Sequence, residues 1–133
     1  MSGGRRPRRW TAVGLAGAWL AATACAGGGA PEPAAKIRFD LAAFDDDGLT
    51  GPADGKRAGA YEFCIPARAE TEAEVRAIDP TLTVSPRSRG RVGCAVPAEA
   101  LCIGSTHQAG FRDVLHRLAA LPYVARIEPF VGE

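Results

Sequence analysis

The sequence predicts an α+β fold, a β-α-β-β-α-β run with one further strand in front of it. Three observations carry this reading. Residues 60–67, AYEFCIPA, alternate apolar and polar positions in the two-residue period of a strand. Phe111, Val114, Leu115, Leu118 and Leu121 recur at helical spacing. Between these segments stand a short helix pattern stopped by Pro80 and two short strand patterns, around Leu82–Val84 and Leu101–Gly104.

The elements follow in order. Residues 36–44 hold IRFDLAAF after Lys36, partly alternating, and give the additional N-terminal strand. Residues 45–59, rich in Asp, Gly and Pro, are expected as a long loop. In the strand at 60–67, Tyr61, Phe63 and Ile65 share one face, and Glu62 and Cys64 the other. Thr71 stands three residues before Glu74, the spacing of a capping box, so a helix is expected over 72–79 with Val75 and Ile78 inward. Pro80 stops it, because proline has no amide to donate.

Leu82 and Val84 place a strand up to about Pro86, and Arg87, Arg89 and Arg91 an exposed turn after it. Leu101 to Gly104 form the next strand, followed by the helix of Phe111 to Leu121, whose N-cap is expected at Ser105 or Thr106. Arg112, Asp113, His116 and Arg117 fall on its wet side. Pro122 closes it, and Tyr123 to Phe130 read as the last strand. From residue 60 onward this order is the ferredoxin-like split βαβ arrangement, with two helices on one face of an antiparallel sheet.

The amino end reads as an address. Arg5, Arg6, Arg8 and Arg9 precede an uncharged run from Trp10 to Ala24. That run is short of the ~20 apolar residues a spanning helix needs and has the layout of an export signal. Leu20-Ala21-Ala22-Thr23-Ala24-Cys25 resembles a bacterial lipobox, departing from it at Ala22 where leucine is usual. The resemblance implies that Cys25 becomes the lipid-bearing first residue; plain signal cleavage near Ala24 is the alternative. Residues 1–24 are thus expected as a signal, 25–35 as a flexible Gly/Pro/Ala tether, and 36–133 as a single domain. The expected location is the cell envelope, membrane-anchored on the extracytoplasmic side, with the membrane itself as a partner.

Charge narrows the functions. The chain carries a net +1, and removing residues 1–24 takes away four arginines and no acid, leaving −3. An acidic domain is no candidate for nucleic-acid binding. Alanine supplies 26 of the 133 residues, so the 47% apolar content buries less surface than it suggests. A core this limited profits from a disulfide.

Cys64, Cys94 and Cys102 remain once Cys25 is set aside, enough for one bridge and one free thiol. Cys94 and Cys102 flank a seven-residue connection and are the expected pair. Cys64 with Cys102, on neighbouring strands and matching faces, is the rival. No C-x-x-C pair supports thiol catalysis.

Other chemistry meets simpler explanations. Cys94, Cys102, His107 and His116 match no zinc spacing, so no metal and no cofactor is expected. An EF-hand loop starting at Asp45 would need glycine and glutamate where Thr50 and Lys56 stand. Ser105, His107 and Asp113 have the residue types of a hydrolytic triad but lack the G-x-S-x-G elbow. Amides at the helix start, with Ser105, Thr106, His107 and Gln108, are a candidate contact for a small anion, and Arg87, Arg89 and Arg91 for an anionic partner or lipid.

The segments FCIP at 63–66, SRGRVGC at 88–94 and LCIGSTHQ at 101–108 resemble those of small exported bacterial proteins of no established activity. The likeness covers about residues 36–131 and implies no catalytic residue. The ending LPYVARIEP is similar to that of subtilisin-type propeptide inhibitors, which share the ferredoxin-like fold. The expected function is a lipid-anchored, non-enzymatic binding or structural module with a protein or small-anion partner. The alternatives are a protease inhibitor presenting a sheet face and the tail from Glu128 to Glu133, and, more weakly, an enzyme using residues 102–107.

Overall fold

The structure, a computed structural model, describes residues 3–4, 14 and 31–131. Apart from residues 3, 4 and 14, the expected signal lies outside the described residues, as do Cys25 and most of the tether. Within them are three helices and two antiparallel sheets, an α+β fold. No helix among the described residues is long and apolar enough to cross a membrane.

The chain enters through a single helical turn, α1 (Pro33–Lys36). The strand expected over 36–44 does not form. Only Ile37 makes a bridge, parallel to Ile127. The Asp40 carboxylate instead accepts the amide of Ala42 at 2.9 Å and starts a 3₁₀ turn, Leu41–Ala43. A short polar side chain that caps its own neighbours competes with sheet pairing, and here it wins. Ile37, Phe39, Leu41 and Phe44 still reach the core, from irregular backbone.

The expected loop at 45–59 contains a small hairpin, β1 (Leu49–Thr50) against β2 (Arg57–Ala58). Asp45 organises it, accepting the amides of Asp47 and Leu49 and the Lys56 ammonium at 2.7 Å. That lysine hydrogen bond, reinforced by the Leu49 amide, holds the Asp45 carboxyl below its usual range.

The main sheet has the order β4-β5-β3-β6, from β3 (Ala60–Pro66), β4 (Thr83–Ser85), β5 (Glu99–Ser105) and β6 (Glu128–Phe130). The last strand is shorter than expected. Residues 121–124 turn instead, the Val124 amide bonding the Leu121 carbonyl, and irregular backbone leads on to Ile127.

Helix α2 (Ala69–Ile78) starts earlier than the capping box predicts. Thr71 is an interior residue whose hydroxyl donates to the carbonyls of Pro66 and Arg68, while Glu74 accepts the Tyr123 hydroxyl at 2.9 Å. Helix α3 (Phe111–Ala119) follows the periodicity, burying Phe111, Val114, Leu115 and Leu118. Its N-cap is Gly110, not Ser105 or Thr106.

Both helices cover one face of the sheet, where Tyr61, Phe63, Ile65, Ala100 and Cys102 meet Val75 and the α3 stripe. The other face is also covered. Residues 86–98 fold back over it, and Val92 and Cys94 pack on Leu101 in a second small core.

Candidate functional site

Register decides the cysteines. Phe63 pairs with Cys102, so Cys102 shares the helix-covered face with Phe63, and Cys64 points the opposite way. Neither expected pair, Cys94 with Cys102 or Cys64 with Cys102, forms. Cys64 bonds to Cys94 instead, with Cα atoms 5.4 Å apart, and ties the 86–98 flap to β3. Cys102 is a buried free thiol, and burial followed by the nearby Glu72 charge pushes its pKa up to about 12. A thiol this protonated is inert.

Glu62 lies under the same flap. It is fully buried, its Oε1 accepts the Val92 amide at 2.6 Å, and its Oε2 has no partner among the described residues. Strand alternation places Glu62 on the wet face, and only the unexpected flap buries it. Arg126 completes the flap's attachment by donating to the Val92 carbonyl. Arg87, Arg89 and Arg91 stay exposed, and none of them joins an ion pair among the described residues.

The candidate anion contacts converge at the end of β5, but on one another. Thr106 is buried, its hydroxyl donating to the Gly48 carbonyl at 2.6 Å and accepting the Gly59 amide at 2.8 Å. Ser105 Oγ accepts the His107 amide at 3.2 Å, and His107 Nδ1 lies 3.0 Å from the Asp47 carbonyl, as donor. Gln108 Nε2 donates to the Ser105 carbonyl at 2.8 Å and to Asp79 Oδ1 at 3.1 Å. The shallow cleft outside them, about 300 Å³, is lined in part by Asp46 and Asp47. Carboxylates there oppose an anion.

Gln108 belongs to a buried network that sequence reasoning missed. The Tyr61 hydroxyl donates to Asp79 Oδ2, and Asp79 Oδ1 accepts the Thr81 amide at 2.9 Å and hydroxyl at 2.6 Å. Thr81 in turn accepts the Ser105 amide at 3.0 Å. Burial, then the Asp79 partner, raises the Tyr61 pKa far above the phenol range. A phenol so held neither gives nor takes a proton at ordinary pH. The available signal was Asp79-Pro80-Thr81, an Asp that bonds the backbone two residues on.

A third feature borders the chain's entry. A groove of about 560 Å³ runs between α1 and the end of α3, walled by Pro31, Pro33, Ala119, Pro122 and Ala125. Beside it the Lys36 ammonium donates to the Leu121 carbonyl at 3.2 Å. Set against known proteins, the chain matches no family model, no curated protein and no solved structure.

Proposed function

We propose that this chain is an exported, lipid-anchored binding or structural module without enzymatic activity, built on a ferredoxin-like domain. The observation that carries it is the Cys64–Cys94 disulfide, because such bonds persist in oxidising compartments outside the cytosol. The charged amino end, the short apolar run and Cys25 agree with that placement. The strand order β4-β5-β3-β6, with two helices on one face, supports the ferredoxin-like reading. The internal bonding of Ser105, Thr106, His107 and Gln108 speaks against an enzyme at 102–107. The inhibitor alternative asks for an open sheet face, which the flap occupies.

Palmitate labelling in a bacterial host tests the anchor. Label on the wild-type membrane fraction and none on Cys25→Ala is the expected result. Unlabelled wild type, or label persisting in Cys25→Ala, overturns it.

A further inference from the structure

We propose that the flap carrying Arg87, Arg89 and Arg91 is the surface this domain lays against an anionic phospholipid bilayer. Four observations place it there. The three guanidinium groups are exposed on one short segment and unpaired among the described residues. The flap does not swing freely, since Cys64–Cys94, the Val92 amide on Glu62 and Arg126 on the Val92 carbonyl all fasten it to the sheet. The segment that carries the arginines is therefore held to the sheet next to them in sequence, at Val92 and Cys94.

The tether supplies the third observation. Ala125 lines both the groove that holds Pro31 and the small cleft formed by Val92, Gly93 and Arg126. The chain thus enters the domain beside the base of the flap. Only five residues separate Cys25 from Pro31, an extended reach of roughly 20 Å. A lipid on Cys25 would hold this flank, and not the far end, within contact of the membrane; to that extent the inference rests on the anchoring reading. Fourth, the acidic Asp45, Asp46 and Asp47 dock beside His107 beyond the carboxyl end of β5, while the flap joins β5 at its amino end. With a net −3 after residue 24, the rest of the domain is repelled by anionic lipid. Attraction at the flap and repulsion elsewhere give one orientation. An arginine near such a surface strengthens binding about fivefold, and a second contact reinforces a single lipid chain.

Vesicle co-sedimentation of the purified chain from residue 25 onward, free of Arg5, Arg6, Arg8, Arg9 and the apolar run at 10–24, tests this, using pure phosphatidylcholine against vesicles with about one-third phosphatidylglycerol. The variant Arg87→Gln/Arg89→Gln/Arg91→Gln should lose at least about tenfold in affinity for the anionic vesicles and nothing for the neutral ones. The control Arg38→Gln/Arg57→Gln/Arg117→Gln should stay within about twofold of wild type on both. All six positions are exposed, so unchanged urea midpoints will confirm intact folding. If the two variants behave alike, or the flap variant matches wild type, the proposal is overturned and the arginines are left to an acidic protein partner. Failure of Cys25 labelling would be a separate result, because vesicle binding is read without the lipid.

Discussion

Asp79 shows how one side chain can close off a site. Its two oxygens take donors from Tyr61, Thr81 and Gln108, so it joins β3, the end of α2, and the turn after β5. A hydrogen bond to a charged acceptor contributes about 1.5–3 kcal/mol, so Tyr61→Phe should lower stability by that much in urea denaturation. Asp79→Ala strands several donors at once and should cost more, with the double variant falling short of the sum. Cys102 gives a pH signature. Its folded pKa, near 12, lies above the ordinary 9.0, so the neutral thiol favours the fold. The unfolded chain releases that proton above pH 9 and the folded chain holds it. Stability is therefore intact below pH 9 and falls by about 1.4 kcal/mol per pH unit above it. Tyr123, raised to about 12 by burial and its Glu74 bond, adds to the loss above pH 10. In Cys102→Ala the decline should begin about one pH unit later, when urea midpoints are followed across this range.

Between β3 and β5 the inner face is closed by a large ring over a missing side chain. Tyr61 pairs with Gly104, and a Cβ at Gly104 would stand 2.5 Å from the Tyr61 ring. The ring cannot retreat, because Asp79 and Gln108 hold its hydroxyl. Gly104→Ala should therefore cost about 3 kcal/mol, and Tyr61→Leu in the same chain should recover part of it. Calorimetric melting of the two variants checks both statements. Elements governed by such long-range fits were the ones the sequence concealed. Helix α3 was legible because its stripe repeats every turn and needs no knowledge of its partner. The tracts at 36–44 and 123–126 were not, since a few alternating residues look the same whether or not an edge accepts them. Cys64 and Cys102 failed for the same reason: their faces depend on the pairing of Phe63 with Cys102, which no local pattern records. The arginine turn needed only its own composition, and it was legible.

At the scale of the whole molecule, the question is what a domain this small can hold without its crosslink. The main core is one layer of sheet under α2 and α3, and the second core, beneath the flap, is only Val92, Cys94 and Leu101 with partly buried neighbours. The flap's remaining attachments are few, and one of them buries the Glu62 carboxylate with a single donor. The disulfide spans 30 residues, from the middle of β3 to the flap. Closing a loop of that length removes freedom from the unfolded chain equivalent to about 3–4 kcal/mol. Small domains have only about 5–15 kcal/mol in total, so the bond supplies a large share. Cys64→Ser/Cys94→Ser should melt roughly 15–25 °C below wild type in the absence of reductant. Reductant should bring the wild type down to the same temperature and leave the variant where it was. The released flap should also open Val92 and Leu101 to solvent, so hydrogen exchange at the Val92 amide should rise before the β3–β5 ladder loses protection. Equal melting of variant and wild type would mean that packing alone holds the flap. Simultaneous exchange of flap and ladder would make flap and sheet one cooperative unit.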